Sequence, residues 1–442
     1  MGGRHFGTMS QSSRSRTYFS SGFVLKRRLV YFFPQNPWPP RSGAHRRCME
    51  MLAGLREIGF EITVYSATHT SERPWEPGAV RALRAIGVKS VQVHRTLAWE
   101  GDYVELVRRL HDRLRRPPGL TSSIHSPPGM RWEFSRLLRR LEPEVVIINY
   151  AQWDGLRRWG ARGRALWIIE NHDLVTMNGK MRRALDSRLV EPVLRGEPVP
   201  TDLLREDVFS HSEFEADLEE YEVYDRYDRT FAISETEARK IRAHTEATAV
   251  VTIPMCMDPA EIANTYDGPA VYAIGPNPFN LQGYFYFVRR VLDLIRRRCP
   301  GFRLAAFGTC YRGAPLPRDE GVRWDGFVED VAQEYRTARF AISPVLGGTG
   351  QQVKIVEAMA YGLPVVALRG RTEPGVIDHG VNGFVAEGAE DFAECVSMLW
   401  NDPRLCRRMG EFARRKISER FSRRNLATVL AAALQPSEGA VR

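Results

Sequence analysis

Short runs of β-branched and aromatic residues alternate with helical stretches along the chain, and this alternation constrains the fold more than any other feature. The first run, residues 29–33, is followed by a proline- and glycine-rich loop, a helical pattern over residues 45–58 and a second run at residues 61–66. Parallel strands need a long connection, usually a helix, to bring the chain back across the sheet. The pattern therefore predicts a parallel sheet with helices packed on its faces.

The alternation occurs in two series. The first continues through short runs at residues 91–94, 145–149, 166–170 and 230–234. The second contains strands at residues 271–274, 303–307, 323–327 and 340–343, with a helix at about residues 284–298. Two prolines between residues 253 and 259 interrupt both patterns and mark the join. A chain of 442 residues is also too long for one ordinary core, so two domains are expected.

The sequence thus predicts an α/β protein with two doubly wound domains and a ligand cleft beyond the carboxyl ends of their strands. Residues 1–27 are rich in Ser, Gly and Arg, which predicts a flexible basic tail. The N-terminal domain is expected to span residues 28–255 and the C-terminal domain residues 256–420. Residues 421–442 are expected to form a last helix and tail that could return to the N-terminal domain.

Composition excludes several classes of protein. Hydrophobic residues make up 43% of the chain and charged residues 26%, as is typical of a globular protein. No apolar run approaches the ~20 residues needed to cross a bilayer, and the N-terminal tail lacks the apolar core of a secretory signal. We expect a cytoplasmic protein, with the inner membrane surface as an alternative location. The six cysteines show no zinc-binding spacing, and no metal site is expected.

The net charge of +10 favours anionic partners such as nucleotide diphosphates or acidic lipids. No zinc finger, RNP-type aromatic motif or basic zipper accompanies the arginines, so a nucleic-acid partner is not expected. Two basic segments with apolar residues, 106–110 and 130–140, could contact an anionic membrane peripherally, although such segments are more often solvated helix faces.

The segment from residue 342 to residue 366 carries the most chemical information. A strand runs into a turn with Gly348 and Gly350 and then into a helix. Glycine lets the backbone approach a ligand closely, and the N–H groups of a helix N-terminus favour a phosphate. Lys354 could neutralise diphosphate charge, and Glu357, on the same helix face, could accept hydrogen bonds from a ribose diol. The segment predicts a diphosphate site.

The same residues allow a simpler interpretation. The glycines could only make a tight turn, and Lys354 and Glu357 could form an exposed ion pair worth about 0.3 kcal/mol. A dehydrogenase-type nucleotide site is excluded at the first strand, because the loop at residues 33–43 holds one glycine and four prolines where GxGxxG is required. The residues alone leave the diphosphate site and the tight turn both open.

The complete segment resembles the retaining family-4 glycosyltransferases of the GT-B fold. In that family a strand ending in proline leads to Gly-small-Gly, then Lys, then Glu-Ala-Met-Ala-x-Gly-x-Pro-Val-Val. The matching residues here are Pro344, Gly348, Thr349, Gly350, Lys354 and 357–366. The similarity covers most of residues 254–421, including the stretch from Gly275 to Gly283, and is thinner in the N-terminal half.

The resemblance implies a GT-B architecture, in which two Rossmann-like domains face each other across a cleft. It implies a hexosyltransferase-like enzyme that moves a sugar from a UDP- or GDP-linked donor to a hydroxyl acceptor, such as a glycan, a lipid-linked glycan or a secondary metabolite. No metal or other cofactor is needed in such an enzyme, because a helix N-terminus and a lysine stabilise the departing diphosphate. The donor-binding residues that it implies are Gly43, Gly275, Asn280, Gly348, Thr349, Gly350, Lys354 and Glu357.

The resemblance also assigns roles in the N-terminal domain. His172 follows a strand at a position where the family presents a histidine to the donor sugar and the acceptor, so His172 and Lys354 are the predicted catalytic residues. Asp173 and His45 are predicted on the acceptor side. Gly43 and His45 are expected on the first strand-to-helix loop, facing the cleft.

The sequence departs from the family pattern in the sugar and diphosphate sites. Many members carry two glutamates eight positions apart, and the first of these positions is Thr349 here. The family's Arg and Lys are absent from residues 275–280, and Gln352 stands where a second cation is common, so Lys354 must carry more of the diphosphate charge. A sugar-nucleotide epimerase of the same GT-B shape is an alternative. Thr349 and the basic segments 106–110 and 130–140 leave a non-catalytic GT-B binding protein as another.

Overall fold

The computed structural model describes residues 27–69, 71, 73–114, 119–158, 164–370 and 372–435. All but one of the residues of the predicted basic tail lie outside these ranges. The strands of the described residues are Arg28–Phe32 (β1), Glu61–Ala67 (β2), Ser90–His94 (β3), Val145–Asn149 (β4), Leu166–Asn171 (β5), Arg229–Ala232 (β6), Ala249–Thr252 (β7), Ala270–Ile274 (β8), Leu304–Gly308 (β9), Val322–Trp324 (β10), Ala341–Ser343 (β11), Val365–Leu368 (β12) and Gly383–Ala386 (β13).

The helices alternate with these strands. Their bounds are Gly43–Glu57 (α1), Pro77–Ala85 (α2), Ala98–Arg113 (α3), Pro128–Leu141 (α4), Gly155–Arg158 (α5), Val175–Leu185 (α6), Glu191–Leu194 (α7), Leu218–Tyr224 (α8), Glu235–Arg242 (α9), Pro278–Tyr286 (α10), Leu292–Arg298 (α11), Val331–Thr337 (α12), Val353–Ala360 (α13), Ala389–Asn401 (α14), Pro403–Arg420 (α15) and Arg423–Ala433 (α16).

The named strands pair in parallel and form two sheets, which confirms the predicted two-domain α/β fold. The first sheet has seven strands in the order β3-β2-β1-β4-β5-β6-β7, and the second has six in the order β10-β9-β8-β11-β12-β13. In each sheet the strand order reverses beside the first strand. The loops after β1 and β4, and after β8 and β11, therefore open at the switch points where such sheets bind ligands.

Interior strands of both sheets are buried on both faces, as parallel sheets require. All five residues of β4 are buried, and so are all three of β11. The apolar runs read from the sequence are thus core strands, because helices cover the sheet on each side. This packing fixes the ends of the strands, and the predicted site residues lie in the loops and helices that follow those ends.

Three predicted element bounds are wrong, each for a local reason. The first helix begins at Gly43 rather than residue 45, because the Ser42 side chain caps it by accepting from His45 N at 3.2 Å. The helix predicted from residue 284 begins at Pro278, after an Asn277 cap. The strand predicted over residues 323–327 is limited to Val322–Trp324.

The last helix, α16, leaves the second domain and packs on α1 of the first. Leu426 and Leu430 join the core cluster on this side of the first sheet, and a Cβ at Gly54 would meet Leu430 at 2.9 Å. The chain therefore passes between the domains twice. The two passages are bonded to each other, since Met257 N donates to the carbonyl oxygen of Phe421 at 2.7 Å. None of the described helices is long and apolar enough to span a bilayer.

Candidate functional site

Two helix N-termini meet across the cleft between the domains. The first residue of α1, Gly43, lies so close to α13 that a Cβ there would be 3.1 Å from Cγ2 of Val353, the first residue of α13. The first turns of both helices carry N–H groups without helical partners, and their dipoles favour negative charge. The two helices follow the switch-point strands β1 and β11. This corrects the expectation that Gly43 and His45 belong to a loop, because both are in the first turn of α1.

The glycine-rich loop before α13 touches the N-terminal domain. Gly348 and Gly350 have φ values of 107° and 76°, a left-handed region that residues with a side chain rarely adopt. A Cβ at Gly350 would stand 2.5 Å from the carbonyl oxygen of His172. The loop therefore needs glycine for both its turn and its close approach to the opposite domain.

Two polar atoms of this loop are buried without a protein partner. The hydroxyl of Thr349 and the side-chain nitrogen of Gln351 have no hydrogen bond, although the Gln351 oxygen accepts from Met255 N at 2.6 Å. Unpaired buried polar groups are costly and usually mark a place where water or a ligand binds. Thr349 thus offers a hydrogen bond at the position where the family resemblance expects a glutamate.

Lys354, Asn280 and Gly275 come together behind the loop. The Lys354 ammonium donates to the carbonyl oxygen of Ala273 at 2.7 Å and to Oδ1 of Asn280 at 3.1 Å. A Cβ at Gly275 would be 3.0 Å from the same Nζ. Burial lowers the pKa of Lys354 to about 7, so the lysine is only partly charged at neutral pH. Lys354 is the second residue of α13, not one turn into it as the sequence suggested.

Glu357 is buried on α13 and reaches across the cleft. One carboxylate oxygen accepts from the guanidinium of Arg46, on α1, and the other lies 3.4 Å from the hydroxyl of Tyr335. The exposed Lys354–Glu357 pair considered from the sequence is therefore wrong, since each side chain has other partners. Sequence reasoning missed Arg46, although its place one turn after Gly43 puts it at the same helix N-terminus.

His172 is buried, and both ring nitrogens have partners within the N-terminal domain. Nε2 lies 2.7 Å from Oδ1 of Asn149, and Nδ1 lies 3.1 Å from the hydroxyl of Tyr150. The Asn149 amide nitrogen donates to the carbonyl oxygen of Phe32, so its oxygen accepts, and Nε2 carries the proton. Burial, together with the charge of Arg47, lowers the pKa of His172 well below its usual value. The ring is neutral at pH 7.

A buried ion pair lies beneath His172. Arg47 donates to Glu170 at 2.7 Å and to the carbonyl oxygen of Ile253 at 2.8 Å. The second oxygen of Glu170 accepts from the hydroxyl of Tyr31 at 2.7 Å. Neighbouring strands and α1 are thus tied together at the floor of the cleft, which holds the loop carrying His172 in one position.

Two further carboxylates lie beside the glycine-rich loop. Asp173, predicted on the acceptor side, accepts from Asn178 at 2.5 Å, and burial raises its pKa to about 6. Glu237 accepts from the backbone N–H of Gly350 at 2.6 Å, and burial raises its pKa to about 8. The spacing of Ser234 and Glu237 suggested a capping box, but only the Ser234 half forms, because the Glu237 side chain bonds the opposite domain.

His45 lies apart from this group. Its Nε2 is 2.9 Å from Oε1 of Gln35, and its ring is buried against Phe33 with 6.3 Å between ring centroids. The structure places Gly43, Gly348, Thr349, Gly350 and Glu357 around the opening between α1 and α13, with His172 and Asp173 at its edge. Lys354, Asn280 and Gly275 lie behind the glycine-rich loop. In the described ranges of the chain, no group of three His, Cys, Asp or Glu side chains could hold a metal ion.

Part of the second domain is similar to a known protein family. Residues 268–402 match the family model of glycosyl transferases group 1. An uncharacterized glycosyltransferase of Haemophilus influenzae is 26% identical over 148 residues, which cover 31% of this chain and 41% of the relative. The chain thus aligns with less than half the length of that relative.

Solved structures match nearly the whole chain. HepE of Anabaena, crystallised with UDP and glucose, has 14% identity and a TM-score of 0.60, covering 92% of this chain and 99% of its own. S. aureus TarM, crystallised as a variant with fondaparinux, α-GlcNAc-glycerol and UDP, has 10% identity and a TM-score of 0.64, with 93% and 100% coverage. The chain thus has the GT-B fold, and residues 268–402 of its second domain are similar to group 1 glycosyl transferases.

Proposed function

We propose that this protein is a retaining glycosyltransferase of family-4 type that transfers a sugar from a nucleotide diphosphate to a hydroxyl acceptor. The observation that carries the proposal is the meeting of α1 and α13 at Gly43 and Val353, with Glu357 and the unpaired Thr349 hydroxyl at the same opening. An anion site beside a carboxylate and a free hydroxyl matches a diphosphate, a ribose diol and a sugar in that order.

In this proposal the diphosphate, the ribose and the sugar each have their own contacts in the cleft. The N–H groups of α1 and α13 bind the diphosphate, and Glu357 accepts hydrogen bonds from the ribose. The sugar extends toward Thr349 and Gly350, where the loop carrying His172 closes the site. Fixed donors directed at the leaving diphosphate lower the barrier because they need no reorganisation as charge develops.

The proposed mechanism retains the configuration at the sugar's anomeric carbon and needs few groups from the protein. An acceptor hydroxyl attacks from the face that the nucleotide leaves, and the departing phosphate oxygen takes its proton. No carboxylate nucleophile is required, which is consistent with Glu237 being bonded to Gly350 N and with Asp173 accepting from Asn178. The neutral His172 then orients the sugar rather than donating a proton.

UDP is the donor nucleotide that we favour over GDP. HepE and TarM were each crystallised with UDP, and a further HepE structure contains UDP-glucose. The acceptor class, whether glycan, lipid-linked glycan or secondary metabolite, is set by loops of the N-terminal domain. The proposal places these acceptors near Asp173 and His45.

Thermal stabilisation by a panel of UDP-, GDP-, ADP- and dTDP-sugars tests the donor. A ligand present at about a hundred times its Kd adds roughly 2.7 kcal/mol to the folded state. We expect a clear rise in Tm with one nucleotide and then release of that nucleotide diphosphate when an acceptor is added. No shift with any nucleotide would contradict the proposal, and isomerised donor without transfer would indicate an epimerase.

We further propose that helices α3 and α4 contact an anionic membrane. The two helices lie against each other, since Glu100 accepts from Met130 N at 3.1 Å. They expose large apolar side chains beside arginines, namely Trp99, Leu106, Leu110, Leu114 and Trp132, each at least 49% exposed. A cytoplasmic enzyme that acts on a lipid-linked acceptor would use such a surface to stay at the inner membrane.

Co-sedimentation with vesicles tests this surface. Full-length protein should bind vesicles of phosphatidylcholine with phosphatidylglycerol better than vesicles of phosphatidylcholine alone. Leu106→Asp with Leu110→Asp should abolish binding, whereas Leu218→Asp, at an equally exposed leucine of α8, should not. Binding that is insensitive to lipid charge, or lost equally in the control, would contradict the membrane contact.

A further inference from the structure

An ion pair between the domains lies where the donor ribose would bind. Arg46 extends from the first turn of α1 to Glu357 on α13, and its side chain is 40% exposed while that of Glu357 is 10% exposed. The first turn of α1 contains no acidic residue that could hold the arginine within its own helix. The partner of Arg46 is therefore Glu357, the carboxylate to which a ribose diol would also donate hydrogen bonds.

The other cation at this opening is poorly suited to a diphosphate. The Lys354 ammonium is bonded to the carbonyl oxygen of Ala273 and to Asn280, behind the glycine-rich loop. Its pKa, lowered by burial to about 7, leaves it only partly charged at neutral pH. The loop after β8, residues 275–280, contains neither Arg nor Lys. A permanently charged side chain would strengthen binding of a diphosphate here.

Arg46 can provide that charge. A guanidinium keeps its charge at all physiological pH values, and its fork of N–H groups matches two phosphate oxygens. Arg46 lies three residues after Gly43, on the helix whose N-terminus faces α13. Its long side chain is half-exposed, so it can turn from the carboxylate toward a ligand without rearranging the core.

We propose that Arg46 is a diphosphate ligand that Glu357 holds in place until the donor binds. This inference rests on the proposed function. When the donor binds, the ribose hydroxyls donate hydrogen bonds to Glu357 and the diphosphate accepts hydrogen bonds from Arg46. Two contacts with the ligand thereby replace the ion pair between the domains. A nucleoside lacks the phosphates and must break the ion pair without replacing it.

The exchange makes the ribose and the diphosphate depend on each other. A ligand that carries both groups satisfies both side chains, whereas uridine leaves Arg46 unpaired and inorganic pyrophosphate leaves Glu357 unpaired. The protein therefore discriminates nucleotide diphosphates from their fragments more strongly than helix N-termini alone would.

Binding of UDP, UMP, uridine and pyrophosphate to the full chain tests the exchange, with the guanosine series in parallel. We expect Arg46→Ala to weaken UDP about 10- to 100-fold, the range of a hydrogen bond to a charged group, while uridine binds as well as before or better. Arg56→Ala, at an exposed arginine in the last turn of α1, should change neither.

A second variant gives a result of opposite sign. Glu357→Gln releases Arg46, so pyrophosphate should bind more tightly than to the wild type, and the double variant should lose that gain. If Arg46→Ala changes UDP and uridine by the same factor, Arg46 only joins the domains and the inference fails while the proposed function stands. If the wild type binds no nucleotide, both fail together.

Discussion

The two walls of the cleft are built in different ways. The first wall, from the N-terminal domain, consists of His172 and the side chains beneath it, which bond one another: Glu170 is held by Arg47 and Tyr31, and His172 by Asn149 and Tyr150. In the second wall, the loop of residues 346–352 with α13, Gly350 N and Glu357 bond groups of the opposite domain, and the Thr349 hydroxyl has no partner.

This difference separates support from binding. Groups that are satisfied within one domain keep their geometry whether or not a ligand is present, so the first wall is a preassembled support. Glu357 is bonded to the opposite domain, and the Thr349 hydroxyl has no partner. Both side chains can therefore form new hydrogen bonds when a ligand binds. We therefore expect changes in the first wall to alter stability and turnover, and changes in the second wall to alter affinity.

The largest expected effect is on stability and comes from the first wall. Glu170→Ala leaves the buried Arg47 without its counter-charge and should lower the free energy of unfolding by about 3–5 kcal/mol. Urea denaturation measures it. Glu144→Ala removes an exposed pair with Arg27 and should cost less than about 1 kcal/mol. Equal costs in the two variants would show that the first wall is not a rigid support.

Glu357→Ala tests the second wall. It removes the carboxylate that would bind the ribose and should weaken nucleotide-diphosphate affinity about 100-fold, because two hydrogen bonds to a charged group are lost. Isothermal titration with the nucleotide selected by the thermal panel measures it, and Glu334→Ala, a glutamate of α12, is the control. Unchanged affinity, together with unchanged affinity in Lys354→Ala, would exclude the site.

His172→Ala sharpens the contrast between binding and turnover. The nucleotide contacts lie on the second wall, so nucleotide affinity should persist, while kcat should fall about 10-fold as one oriented contact to the reacting sugar is lost. Steady-state kinetics separates kcat from KM, and His211→Ala, at an exposed histidine, should leave both unchanged. A loss of nucleotide affinity equal to that of Glu357→Ala would remove the distinction between the walls.

The smallest effect concerns protons on the second wall. Lys354 has a pKa of about 7 without ligand, and a bound diphosphate raises it, so binding at pH 8 should take up less than one proton. Affinity then falls by less than about 10-fold per pH unit above pH 7. Titrations in buffers of different ionisation enthalpy measure the uptake. Lys354→Met should abolish it; persistence in that variant would assign the proton to another group.

The sequence predicted the fold well because its strands are short, rich in β-branched and aromatic residues, and separated by recognisable helices. It was less accurate at α10, where every residue is buried and the helix has no polar face from which a period could be read. At β10 the predicted strand extended to residue 327, but Gly326 has a left-handed φ of 67°, and the strand ends before it at Trp324.

The candidate site was predictable where it is local. Gly348, Gly350, Lys354 and Glu357 lie within ten residues of one another, and one turn and one helix bring them together. Arg46 could not be predicted, since its partner is 311 residues away along the chain. The role of Glu237 was predicted wrongly for the same reason. Its spacing from Ser234 suggested a local helix cap, but its carboxylate accepts from Gly350 N, which is distant in the sequence.

The double passage of the chain between the domains restricts how the cleft can open. The two segments run side by side, joined by the bond from Met257 to Phe421 and by another from Arg423 N to Asp258 at 3.0 Å. Two adjacent tethers act as a hinge, about which the domains can rotate but along which they cannot slide. We therefore expect the cleft to open by a rotation that separates α1 from α13 and leaves each sheet intact.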